Sequence, residues 1–284
     1  MIDRKSGDIY LSLTFYDEST CAQRQDRYLR IINPAEREQQ QRFHSARDRL
    51  RYRVTRALVR TVLSRYLPLD RAAWIFANNA YGRPRMVNAN VLRAYWRFSI
   101  AHTHGLISLT IVPGREVGVD VENTCVKAVD FGIADRFFTR SEAAALSMLP
   151  PAQRRFRLLE HWTFRDSYTK ARGLGLPLRL HKVSVDFPDH RAARISINAQ
   201  LQDHADRWQF WRLLPGADYL VALCAERLTA EPSCLRVTRI VPGVTERPVA
   251  PAVTRITECR WRLSRSSLSA VFPWLFEVGS EKRG

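Results

Sequence analysis

Twice along this 284-residue chain, a long helical pattern gives way to a run of alternating strands. Ala35 to Leu67 reads as one or two helices stopped at Pro68. Within it Phe43, Ala46, Leu50, Val54, Ala57, Leu58 and Val62 recur at three- and four-residue steps and form one apolar stripe. Strands are predicted at Ile9–Tyr16, Ala73–Ala77, Tyr95–Ala101, Ile107–Val112 and Glu116–Glu122. The second pass has helices over FGIADRFF and SEAAALSML, capped by Thr139 or Ser141, and a long one from Ala152 to Arg172. Strands follow at HKVSVDF, RISIN, WQFWRLL and YLVALCAE. The two passes share no clear sequence repeat. They predict an α+β fold of two halves, 1–115 and 116–227, with an extension over 228–284 that is partly ordered. Prolines punctuate that tail, although LSAVFPWLFEV is apolar enough to dock.

Charge narrows the partners. Lys and Arg total 45 against 28 Asp and Glu, a net charge of +17, spread along the chain rather than gathered in a tail. Arg42, Arg47, Arg49, Arg51, Arg53, Arg56 and Arg60 fall off the apolar stripe of the first long helix. Such a surface favours anionic partners: nucleic acid, membrane, phosphorylated ligands or an acidic protein. No nucleic-acid recognition module accompanies the charge, so a nucleic-acid partner is not expected. The five cysteines form no CxxC, which points away from a disulfide framework or zinc site. No apolar run approaches the ~20 residues of a membrane span, so no membrane role is expected and the cytoplasm is the default location.

Four short stretches could carry chemistry. In GVDVE, alternation sends Asp120 and Glu122 to one strand face, where two carboxylates repel unless a cation lies between them. Mg²⁺ would serve, since it binds through one or two carboxylates plus substrate phosphates; a solvated strand face is the plainer reading. Trp162, Asp166 and Lys170 share a helix face at four-residue steps, a spacing that an ordinary stabilising ion pair also explains. Gly173 suits a left-handed helix end; Gly175 suggests a closely packed backbone or a flexible loop. NAYGRP is turn chemistry that would hold Arg83 on a short rigid loop, and FSIAHTHG sets His102 and His104 at a strand end.

In order, these stretches are a basic helix pair, YGRP, FSIAHTHG, GVDVE, RFFTRSE and WTFRDSYTKARGLGL. The set resembles the monomeric, double-length 4'-phosphopantetheinyl transferases of the surfactin-synthetase-activating type. That family's pattern is roughly YGKP, FNxSHS, G(I/V)DxE, (R/K)FF-S-x-x-E and WxxKEAxxKxxGxGL. The resemblance is good from about Pro34 to Leu176 and holds in outline to about Arg227. It implies two pseudo-twofold-related α/β halves with coenzyme A and Mg²⁺ at their junction. The implied reaction moves the phosphopantetheine arm to a serine of an acidic carrier protein and releases 3',5'-ADP.

Position by position, the resemblance implies Asp120, Glu122 and Asp166 as metal ligands and Lys170 at the phosphates. Glu122, Asp166 and Lys170 are then the catalytic candidates, with Glu122 or Asp166 receiving the serine proton. His102 and Arg51 are implied at the 3'-phosphate, with Arg37 and Arg42 as further candidates. Arg83 and Pro84 are implied beside the adenine, and Phe137 and Phe138 toward the carrier. The chain departs from the pattern in four ways. Asp166 stands where the family has Glu; Ser99 and Ala101 replace Asn and Ser; Glu36 and Gln39 stand where some members have lysines; and the tail is long. These departures leave an alternative, a non-catalytic relative that binds coenzyme A or a carrier domain.

Overall fold

The computed structural model describes residues 7–88, 96–125, 131–173, 180–188, 192–229, 233–250 and 252–255. Gly175 and the LSAVFPWLFEV segment lie outside these residues. The first half opens with β1 (Ile9–Phe15) and continues through α1 (Glu18–Ala22), α2 (Gln25–Ile31), α3 (Pro34–Gln41) and α4 (Ala46–Tyr66). A small hairpin, β2 (Phe76–Asn78) and β3 (Pro84–Met86), precedes β4 (Trp96–Thr103) and β5 (Leu106–Pro113). The second half repeats this order. It runs β6 (Val117–Asn123), α5 (Gly132–Phe137), α6 (Arg140–Met148), α7 (Pro151–Arg172), hairpin β7 (Val183–Asp186) and β8 (Arg194–Ile197), then β9 (Trp208–Gly216) and β10 (Tyr219–Glu226).

The topology repeats as well. β5 pairs antiparallel with both β1 and β4, and β10 pairs antiparallel with both β6 and β9. The repeat is invisible at residue level because core positions constrain side-chain size and polarity, not identity. Between the sheets, Ile9, Leu11 and Leu13 meet Val117, Val119 and Val121 and Val221, Leu223 and Ala225. On the far face of the first sheet, α4 buries Val54, Leu58 and Val62 against Ile107, Leu109 and Ile111. On the far face of the second, α7 buries Phe164, Tyr168 and Ala171 against Phe210, Ala222 and Cys224.

Three expectations change. Of the strand expected at Ala73–Ala77, Ala73 closes a 3-10 turn over Arg71–Ala73 and only Phe76 and Ala77 are extended strand, which runs on to Asn78. Asp70 caps that turn and shifts the strand onward. Arg60, placed off the apolar stripe, is fully buried. Its guanidinium reaches Glu36 at 2.7 Å and the Trp74 carbonyl at 3.1 Å, so its charge is satisfied inside the fold. The third concerns the strands, expected to end near Glu226, which continue in the described part of the tail. β11 (Leu235–Val241) pairs parallel with β1, β12 (Thr245–Pro248) pairs with β11, and β13 (Ala252–Arg255) pairs with β9. Proline punctuation fits here because Pro248 ends an edge strand, which tolerates a missing donor.

The capping residues follow their chemistry. Asn33 and Glu36 form a capping box for α3, with Pro34 at its first position. Thr139, rather than Ser141, caps α6 through a box with Glu142. Gly173 ends α7 with φ +66°, the left-handed conformation its position predicts. Cys21, Cys125, Cys224 and Cys234 are free thiols. Among the described residues no helix is long and apolar enough to cross a membrane.

Candidate active site

β4 and β6 are edge strands of their respective sheets, and they meet at the junction of the halves. Ser99 Oγ on β4 accepts a hydrogen bond from the Val119 amide on β6, 3.1 Å away. The serine that departs from the family's Asn therefore has a structural task, satisfying an edge-strand amide. Beside this seam, alternation sends the β6 valines inward and leaves Asp120 and Glu122 on the face toward α7. Gly118 shares that face. A Cβ there would collide with the backbone of Ser167 and Ala171, so glycine lets helix and strand close up.

That close approach assembles the acidic site. Trp162, Asp166 and Lys170 form the partly exposed stripe of α7, while Thr163–Arg165 and Ser167–Thr169 are buried. Lys170 Nζ donates to Asp120 Oδ1 at 2.7 Å and pairs with Asp166 Oδ2 at 2.8 Å. The helix pair expected between Asp166 and Lys170 is therefore extended to a strand 50 residues away in sequence. Burial first, then the charges of Asp166 and Glu122, push the Asp120 carboxyl well above the ordinary carboxylate range despite Lys170. Burial and Asp166 also raise Glu122, against the pull of Lys170. Burial would lower Lys170, but Asp120 and Asp166 outweigh it and hold the ammonium firmly charged.

The donor set suits a cation. Asp120 Oδ2 is buried and lacks a hydrogen-bond partner. Glu122 and Asp166 both act on the same lysine, so the three acids share one electrostatic environment. Among the described residues, however, no three His, Cys, Asp or Glu side chains are gathered tightly enough to ligate one ion, and Lys170 bridges Asp120 and Asp166.

Basic groups border the acids. His102 stands exposed near the end of β4; partial desolvation, Arg51 and Lys170 all hold its imidazole below its usual pKa. Arg51, in the first turns of α4, pairs with Asp48 at 2.7 Å and remains partly exposed. Arg47 and Arg51 both act on Tyr16, whose hydroxyl donates to the Thr103 carbonyl at 2.9 Å. Thus Arg51 on α4 and Lys170 on α7 both lie within electrostatic reach of His102 on β4.

Other residues singled out in the sequence take different places. Pro84 opens β3 and Arg83 directly precedes it, but the Arg83 guanidinium is turned into the protein. Nη1 donates to Glu116 at 2.8 Å and to the Ala171 carbonyl at 3.1 Å, and Nη2 donates to the Val117 carbonyl at 3.1 Å. Glu36 does not face a ligand. It is buried under α4, where Arg56 and Arg60 hold its carboxyl below the usual range despite burial. Arg42 is spent on an exposed pair with Glu38 at 2.8 Å. Phe138 is core, stacked beneath the Arg165 guanidinium, whereas Phe137 is partly exposed and packs edge-on against Trp162.

Two supports of α7 escaped the sequence reading. Arg165 is fully buried and pairs with Glu142, while its other nitrogens donate to the carbonyls of His161 and Val183. Asp203, also buried, accepts from Tyr168 at 2.7 Å, Trp208 at 2.9 Å and Arg172 at 2.5 Å. Both are pairs distant in sequence, and no local periodicity marks them.

Comparison with known proteins identifies the family. Residues 116–224 match the family described as the 4'-phosphopantetheinyl transferase superfamily, and residues 19–112 match that described as 4'-phosphopantetheinyl transferase, N-terminal. The chain is 27% identical to 4'-phosphopantetheinyl transferase Sfp of Bacillus subtilis over 211 residues, covering 74% of this chain and 89% of that protein. It is 29% identical to 4'-phosphopantetheinyl transferase ffp of Bacillus subtilis, covering 77% and 91%. A more distant relative is the L-aminoadipate-semialdehyde dehydrogenase-phosphopantetheinyl transferase of Xenopus laevis, 23% identical over 68% of each chain.

Proposed function

The chain belongs to the 4'-phosphopantetheinyl transferase superfamily, and from that premise we propose that its junction site transfers the phosphopantetheine arm of coenzyme A to a serine of an acyl or peptidyl carrier protein. The observation that carries the reading is the bridge of Lys170 between Asp120 on β6 and Asp166 on α7, beside His102 and Arg51. Phosphoryl transfer needs positive charge on the phosphate oxygens and a positioned nucleophile. Lys170 supplies a fixed ammonium for the pyrophosphate. In this reading Arg51 and His102 would meet the nucleotide's 3'-phosphate, and the outer face of the Arg83–Pro84 turn would meet the adenine.

In the proposed step the serine oxygen attacks the phosphorus next to pantetheine. The bond from that phosphorus to the bridging oxygen breaks, and 3',5'-ADP leaves. Glu122 suits the proton acceptor because burial and Asp166 raise its basicity while it stays partly exposed. Mg²⁺ needs only one or two carboxylates when substrate phosphates complete its shell, so Asp120, Glu122 and Asp166 need not all converge on it; a subset of them would hold the ion, which would neutralise charge on the pyrophosphate. A chain of charge +17 would also speed encounter with acidic carrier domains, most strongly at low salt.

The test is direct. The protein, coenzyme A, Mg²⁺ and a panel of apo-carrier proteins are incubated, and each carrier is weighed by mass spectrometry. Addition of the arm to at least one carrier supports the reading. No addition to any, while a known transferase labels the same panel, overturns it. A second reading, binding without transfer, is favoured by the shorter Asp166 and by the loose gathering of the three acids. Calorimetric binding of coenzyme A with no mass shift on any carrier would support that one.

A further inference from the structure

Arg83 sits on the turn that joins β2 to β3 in the first half, yet all its guanidinium contacts given above are with the second half. They join three separate points: the Glu116 carboxylate and Val117 carbonyl at the entry to β6, and the Ala171 carbonyl at the end of α7. The same turn makes a fourth contact, Asn79 Nδ2 to the Gly173 carbonyl at 3.0 Å. Asn79 also seats Arg83 itself, since its Oδ1 accepts from the Arg83 amide at 2.9 Å. Glu116 is shared with Arg97 on β4 at 3.1 Å, which fixes the carboxylate from a second side.

These are the ends of the two elements that build the acidic site. Val117 is three residues before Asp120 on β6, and Ala171 directly follows Lys170 on α7. The last carbonyls of a helix have no partner within it and carry its negative dipole end, so a cation placed there both bonds and stabilises them. A planar guanidinium can satisfy a carboxylate and two carbonyls in one orientation; an ammonium cannot reproduce that fork.

From this geometry we propose that Arg83, seated by Asn79, is a positioning residue: it clamps the final turn of α7 to the start of β6 and so fixes Lys170 against Asp120. A ligand seated on the outside of the Asn79–Pro84 turn is thereby mechanically joined to the lysine that faces the pyrophosphate. The kinetic consequence rests on the transferase reading; the structural one does not.

The test compares wild type with Arg83→Gln, Arg83→Lys and Asn79→Ala, using two readouts. Hydrogen exchange by mass spectrometry should show faster exchange of amides 167–173 in each variant, largest in Arg83→Gln, with the β1 and α4 amides unchanged. Kinetics with coenzyme A and an apo-carrier should show kcat falling on the order of 100-fold in Arg83→Gln, because small misplacements of a reacting group are costly. The KM for coenzyme A should change little, and Arg83→Lys should recover part of kcat through its pair with Glu116. Unchanged exchange at 167–173 in both Arg83 variants overturns the clamp, as does a loss expressed wholly in the KM for coenzyme A. Should Arg83→Gln not fold, Arg83→Lys and Asn79→Ala carry the same comparison. If wild type labels no carrier, the transferase reading falls and the exchange measurement alone decides the clamp.

Discussion

Lys170 Nζ lies 2.7 Å from Asp120 Oδ1, joining the last turn of a helix to the middle of an edge strand. Replacing Lys170 with Gln would leave Asp120, Asp166 and Glu122 facing one another without their internal cation. Transfer should fall by about 10²–10³, the usual effect of losing one preorganised charge stabiliser. The thermal midpoint of Lys170→Gln should also rise more on adding Mg²⁺ than that of wild type, because the acids then lack any other counter-charge. Steady-state kinetics and a Mg²⁺ titration by scanning fluorimetry check the two halves of this prediction. A variant with wild-type turnover would remove Lys170 from the mechanism.

Asp166→Glu adds one methylene toward the shared acidic space. The Mg²⁺ concentration giving half-maximal transfer should drop, since Mg²⁺ demands oxygens at about 2.0–2.1 Å in near-octahedral geometry. The KM for coenzyme A should stay put. A Mg²⁺ requirement identical to that of wild type would show that Asp166 already reaches as far as it needs to.

Glu36→Ala leaves Arg60 charged and buried without its carboxylate partner. Breaking a buried pair from one side costs about 3–5 kcal/mol. Urea unfolding should show that loss, whereas the double variant Glu36→Ala/Arg60→Leu should recover part of it. A single variant as stable as wild type would mean that water reaches Arg60.

His161 is buried between Phe138, Phe187 and the Glu142–Arg165 pair, and burial first, then Arg165, depress its pKa to about 3 despite Glu142. The unfolded chain takes up this proton near pH 6.5, the folded chain only near pH 3. Between those values the unfolded state binds more protons, so acidification destabilises the fold, by up to ~1.4 kcal/mol per pH unit for this one group. Wild type should therefore lose stability more steeply than His161→Gln from pH 6 to pH 4. Glu142 adds a loss of the same sign below its unfolded pKa, because its folded pKa is held down by Arg165 against burial. Parallel pH profiles for the two proteins would rule out a neutral buried imidazole.

How much of this was legible beforehand depends on how far apart the partners lie. The face shared by Asp120 and Glu122, and the stripe of Trp162, Asp166 and Lys170, follow from strand and helix periods alone. The left-handed Gly173 follows from the absence of a Cβ. The bridge from Lys170 to Asp120 depends on how closely α7 packs on Gly118, a tertiary fact that no local spacing encodes. Arg60 misled in the other direction, and Arg165 gave no signal at all. A basic residue beside an apolar stripe predicts solvent, and only the distant Glu36 reverses that. Arg83 was legible as a residue on a rigid turn, but the direction its side chain takes was not.

The parallel pairing of β1 with β11 has a consequence for how the protein is made. On the ribosome β1 emerges before both its partners and can pair with β5 once residue 113 is exposed, yet its second edge waits for residues 235–241. At about 5–20 residues per second, that edge stays open for roughly ten seconds of synthesis. During that interval the nascent first half offers an unpaired strand to any neighbour, the usual template for intermolecular pairing. Truncations that end before Leu235 should thus be more prone to clump than their lost core area alone would suggest, since they make that interval permanent.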